Sequence, residues 1–132
     1  MIAPAPLDAE ELVARALAAA GIAAGPTPVP DELGETLPYA VVTQVGGSRS
    51  GLVVDAFSLS VDVYAQGWAE AMGAAREAAA VVASLELSPG EVQWRASTLD
   101  ALPYANPDPE RGDLARATFA ATVVLRAELR EI

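Results

Sequence analysis

The 132-residue sequence predicts an α+β domain in which helices pack on one antiparallel or mixed sheet, in the order α-β-β-β-α-β-β. Two observations carry that expectation. Apolar residues recur at helical spacing in two alanine-rich stretches, and they alternate with polar residues in at least two others. The apolar fraction of 52% allows a real core. With 29 alanines against seven aromatics, that core must be built from closely approaching small side chains. A chain of this size fits one domain, assigned here to residues 1–132. Burying only about 65–70% of its unfolded surface, it gains from association with other subunits.

Residues 1–6 read as a flexible lead-in to the first helix. Asp8 caps that helix, with Glu11 three residues on as capping-box partner, and Leu12, Val13, Ala16, Leu17 and Ala20 form its stripe. Gly21 ends it. Residues 22–36 form a proline-rich connector carrying Pro26, Pro28, Pro30 and three acids, extended over the surface. Tyr39–Val45 is β-rich and nearly continuously apolar, as in a strand covered on both faces. Gly46–Gly51 reads as a flexible hairpin or loop, followed by apolar Leu52–Val54. Phe57, Leu59, Val61 and Val63 alternate with Ser58, Ser60, Asp62 and Tyr64, the signature of a half-buried strand.

A second helix runs from Trp68 to about Leu85, with Trp68, Met72, Ala75, Ala79 and Val82 as its seam. Val92–Thr98 alternates as a further strand, a loop spans Asp100–Asp113, and one long strand alternates from Ala115 to Glu128. That last strand is long enough for one end to project or to pair with a neighbour.

Composition narrows the chemistry. Without cysteine there is no thiolate nucleophile and no Cys-ligated metal; without histidine the commonest general base and metal ligand are missing. All eight positive charges are arginine, so Schiff-base chemistry and a P-loop lysine are absent too. The reading is therefore non-enzymatic, with no cofactor and no metal. A net charge of −10 and a pI near 4.2 oppose phosphate-tracking nucleic-acid binding and an anionic membrane surface. No apolar run reaches the ~18–20 residues of a membrane span, and no basic-then-apolar leader opens the chain.

Few motifs stand out. Gly46, Gly47, Ser48, Arg49, Ser50 and Gly51 form the only glycine-rich segment, with no GxGxxG pattern and no helix after it. It is either a plain hairpin or a loop docking on a protein partner, with Arg49 offering a five-donor fork. Asp108, Glu110 and Asp113 imitate calcium-loop spacing but lack the remaining ligands, so they read as a solvated loop. Trp68 and Trp94 read as core or interface anchors. Arg95 and Arg116, on strands expected to be neighbours, could form salt bridges across a subunit boundary.

Taken in order, these segments resemble the small tail terminator (tail completion) proteins of long-tailed phages, especially those of actinobacteria. The resemblance rests on Leu37-Pro38-Tyr39-Ala40-Val41-Val42 leading into Val45-Gly46-Gly47, and on Asp55 before the strand ending Val61-Asp62-Val63-Tyr64-Ala65. Glu70-Ala71 near the start of the second helix, Asn106-Pro107-Asp108 and Arg116-Ala117-Thr118-Phe119 complete it, over roughly residues 7–129. What it implies is a homo-oligomer, a sixfold ring in the virion neck. The ring would cap the head-proximal end of the tail tube, stop tube polymerisation and meet the head-completion proteins. Genomic DNA would pass through its bore without specific binding, and no membrane is involved. Asp55, Arg95, Asn106, Asp108 and Arg116 become candidate subunit-interface residues. Two other readings stand beside it: another neck or tail ring component, such as a head-completion protein or tail-tube subunit, and a small-molecule-binding or enzymatic α+β domain.

Overall fold

A computed structural model describes all of residues 1–132. The chain runs β1 (Ile2–Ala5), α1 (Ala9–Ala19), β2 (Ala24–Pro26), β3 (Tyr39–Ser50), β4 (Val54–Ala65), α2 (Trp68–Ala83), β5 (Ala96–Ala105), β6 (Ala115–Arg126) and β7 (Glu128–Glu131). Single helical turns lie at Gly34–Thr36, Leu85–Leu87 and Pro109–Arg111. Five strands form one sheet in the order β2-β3-β4-β6-β5, and β1 with β7 forms a separate two-stranded ribbon. The predicted α+β class is the observed one: α1 and α2 pack on one face of the larger sheet, whose only parallel pair is β2 with β3.

Alternation decides what each face does. On β4, Phe57, Leu59, Val61 and Val63 point into the helix-covered core, with Ala117, Phe119, Ala121, Val123 and Leu125 of β6 beside them. Against them lie Val13 and Leu17 of α1 and Ala71, Ala75, Ala78, Ala79 and Val82 of α2. An alanine face lets α2 approach the sheet closely, so many small contacts replace a few large ones. Trp68, expected in that seam, is 45% exposed at the first residue of α2, whose buried positions begin at Ala71. Asp8 caps α1 as expected, its carboxylate accepting from the Glu11 N–H at 3.1 Å. The side chain of Glu11 turns instead toward Arg15, 3.7 Å away.

The opposite face carries a second, smaller core of Leu33, Val41 and Tyr64, with Val29 and Leu37 packed on it. Tyr39–Val45 is thus covered on both sides at its start, as its continuous apolar run requires: Ala40 and Val42 face the main core, Val41 the smaller one. The proline-rich connector of residues 22–36 is what covers this side. It also contributes β2, whose three residues pair with Ala40–Val42.

Four segments differ from expectation. Ile2–Ala5, within the supposedly flexible lead-in, pairs antiparallel with Glu128–Glu131, partners that no local pattern could reveal. Of the two readings of Gly46–Gly51, hairpin or loop, the structure has the hairpin. Yet Gly46–Ser50 is its regular arm, continuing β3 in register with Ser58–Val54 of β4, and the turn falls after it at Gly51, whose φ is +62°. The expected strand at Val92–Thr98 begins only at Ala96 and runs on to Ala105. Register shifts between Leu99 and Tyr104 accommodate Pro103 and keep Asp100–Ala105 against β6, so the loop is shorter than predicted. Finally, the long last strand breaks at Ala127, and its continuation pairs with the chain's own β1 rather than with a neighbour.

Candidate functional site

All the predicted site residues except Arg95 separate into two groups at opposite ends of the sheet. At the upper end, β3 and β4 form a hairpin stiffened by a kink and an ion pair. An extra residue, Val45, interrupts the register between Gln44 and Gly46. Past it, Gly47 sits so close to β4 that a Cβ there would lie 2.6 Å from the Ala56 carbonyl oxygen, which explains why this position is glycine. Arg49 lies directly opposite Asp55. Its Nε and Nη2 donate to Asp55 Oδ1 and Oδ2 at 2.5 and 2.8 Å, and its Nη1 donates to the Pro4 carbonyl at 2.9 Å.

Arg49 therefore does not hold its fork out to a partner, as the sequence reading supposed; it clamps the hairpin to the N-terminal strand. A bidentate pair of this geometry also excludes Asp55 from acting as a free interface carboxylate. The guanidinium hydrogen bonds hold the Asp55 carboxyl below its ordinary value and raise Arg49 further.

Exposed apolar side chains lie on both projections at this end, while others, Leu102 and Tyr104 of β5 and Trp68 of α2, are exposed elsewhere. Val45 and Leu52 on the hairpin are 66% and 81% exposed, and Ile2 and Leu129 on the β1–β7 ribbon 67% and 66%. The ribbon continues directly from β6, anchored where the Ala127 N–H donates to the Val53 carbonyl.

At the lower end, Asn106, Asp108 and Arg116 come together around Tyr64. The Tyr64 hydroxyl donates to Asp108 Oδ2 at 2.8 Å, and Arg116 stands 3.6 Å from the same carboxylate. Nε of Arg116 donates to the Asn106 carbonyl at 2.6 Å. Thr118 donates to Asp62 at 2.6 Å and accepts from the Asn106 amide at 3.1 Å. Arg111 and Arg116 both lie over the Tyr64 ring, 5.9 and 6.0 Å from its centroid, and Arg111 reaches on to the Pro30 carbonyl at 3.0 Å. Burial raises Asp108, but the Tyr64 hydroxyl, the Glu110 N–H and the two arginines outweigh it, leaving its carboxyl below the usual value. Burial likewise pushes the Tyr64 phenol up.

This knot ties the 106–114 segment to the sheet and to the connector, so Asp108 belongs to a half-buried network and not to a solvated loop. Arg95 joins neither group. Although β5 and β6 are neighbours, Arg95 donates its backbone N–H to Val124 at the upper end, far from Arg116 at the lower. Its exposed guanidinium has no ion-pair partner in the chain.

Tyr64, Arg111 and the terminal ribbon were not singled out from sequence. Tyr64 and Asp62 share the polar face of an alternating strand, which was the one available signal. A third feature is a groove of about 410 Å³ between α1 and the 88–94 segment, floored by Leu12, Ala16, Val81, Leu85 and Trp94. No helix is long and apolar enough to cross a membrane. In comparisons with known proteins, neither a family model nor a curated sequence matches this chain.

Proposed function

We propose that this chain is a structural subunit of a phage tail, a tail terminator that assembles into a ring at the neck. The ring caps the head-proximal end of the tail tube, halts its polymerisation and receives the head-completion proteins. The observation supporting this reading is the upper end of the molecule. On a chain of net charge −10, exposed apolar side chains collect on a hairpin and ribbon clamped by Arg49–Asp55. An ordered apolar patch on a strongly charged protein fits docking on another protein, with little ordering cost on binding. The acidic, lysine-free remainder suits a conduit through which DNA passes without adhering. Function in this role is steric: a heterologous interface closes into a ring instead of growing as a filament.

Negative-stain imaging of the purified protein tests the reading directly. Rings with a central bore are expected, and Leu52→Glu should leave rings intact while abolishing attachment to tail tubes. A protein that stays monomeric at high concentration, in both low and high salt, overturns it. Leu52 is the better probe than Arg49, since a glutamate at 49 would face the buried Asp55 and damage the hairpin itself.

A further inference from the structure

The five-stranded sheet has two edges, and each is blocked over its lower half and open over its upper half. On one side, β2 occupies β3 at Ala40–Val42, and the Glu10 carboxylate accepts from the Gln44 N–H at 2.7 Å. From Gly46 to Ser50 the strand is regular against β4, yet no backbone group of the chain pairs with its outer side. On the other side, β5 is interrupted by register shifts after Leu99 and by Pro103, which has no N–H to offer. Its upper segment, Ala96–Leu99, is regular against β6 and likewise open outward.

The two open segments lie at the same height. Ser48, Ala56, Val124 and Ala96 form one row across the sheet, and Gly46, Ser58, Thr122 and Thr98 another. With β3 and β5 running in opposite directions, a second copy set beside the first in the same orientation brings β5 of one against β3 of the next, antiparallel. Charge favours this joint. On a chain of −10, Ala96–Leu99 contains no charged residue, and the one charge in Gly46–Ser50, Arg49, is neutralised by Asp55 within the chain, so the two edges meet without the repulsion that other faces impose.

We infer that neighbouring copies join head to tail through these two strand edges, so that one sheet continues from subunit to subunit. The inference rests on the ring reading and names its joint: unpaired N–H and C=O groups on both edges become a hydrogen-bonded ladder, and identical copies related by rotation repeat it around the ring.

The chain contains no cysteine, which makes the test direct. Ser48→Cys and Ala96→Cys place thiols on the face opposite the helices, outside the main core. Facing residues of an antiparallel pair bring Cβ atoms about 4.5–5.5 Å apart, close enough for a disulfide to form. Under mild oxidation, mixing the two single variants should give a covalent dimer absent from either alone, and the double variant should give a ladder ending at the ring. Ser48→Cys mixed with Thr98→Cys reads a joint displaced by two residues. A dimer from Ser48→Cys alone, with no mixed dimer added in either mixture, indicates β3 edges pairing with each other and overturns the inference. Rings visible in the microscope with no cross-link in either mixture overturn it while leaving the ring standing; monomers without rings remove both.

Discussion

The two ends of the sheet use the same chemistry to different effect. Each has an arginine on a carboxylate, Arg49 on Asp55 above and Arg116 on Asp108 below. Below, the pair is one strand of a network: Tyr64, Asn106, Thr118, Asp62 and Arg111 share the load, and the connector's small core packs against the same tyrosine. Above, a single arginine holds the hairpin, Asp55 and the N-terminal strand, with exposed apolar side chains around it. The lower end is built for permanence. At the upper end, order depends on few contacts, and the surface is left available.

The contrast predicts a graded series of effects. Tyr64→Ala should be the most damaging change, costing about 3–5 kcal/mol as for other buried aromatics, because it empties the small core and orphans the knot together. Denaturant unfolding measures it, and a loss under 1 kcal/mol would show that the knot is ornamental. Tyr64→Phe keeps the packing and removes only the hydroxyl, so about 1 kcal/mol is expected.

Arg49→Met should act locally. Amides of 46–54 should exchange roughly tenfold faster or more, while those of 59–63 keep their protection. Uniform acceleration across β4 would mean that the clamp supports the whole fold.

The pH dependence carries a definite sign. Asp55 and Asp108 both have native values below the ordinary aspartate pKa, so their stabilisation is fully present above the unfolded value, about pH 4. It is lost as pH falls through the lowered native values. The stability gap between the parent and Asp55→Asn should accordingly be widest near neutrality and close in acid. A gap that widens in acid would contradict the ion-pair account.

Asp8→Ala, which touches neither end, should cost about 1 kcal/mol through the lost cap of α1. Smallest of all, Arg15→Ala should stay within about 0.5 kcal/mol, because its pair with Glu11 is long and exposed.

Periodicity settled much of this molecule without a structure. The alternation in Phe57–Val63 and Ala115–Leu125 identified the face that packs under the helices, though not the burial of Tyr64 and Thr118 on the other face, and Asp8 announced its helix. These signals are local, since a strand or helix writes its period into consecutive residues. For the same reason the site was only half legible. Gly46–Ser50 has the composition of a loop, and only its register against Ser58–Val54, with Arg49 landing opposite Asp55, makes it a strand. Ile2–Ala5 carries no strand signature of its own; the residues that order it lie at the other end of the chain. Tyr64 became the centre of a knot because folding brings Asp108, Arg111 and Arg116 to it from another part of the sequence. The sequence by itself determined the class of fold, the faces that pack under the helices and the charge of the surface, all properties summed over neighbouring residues. Tertiary structure alone decided which arginine meets which aspartate and which strand edges stay open, because those depend on pairings that chain separation hides.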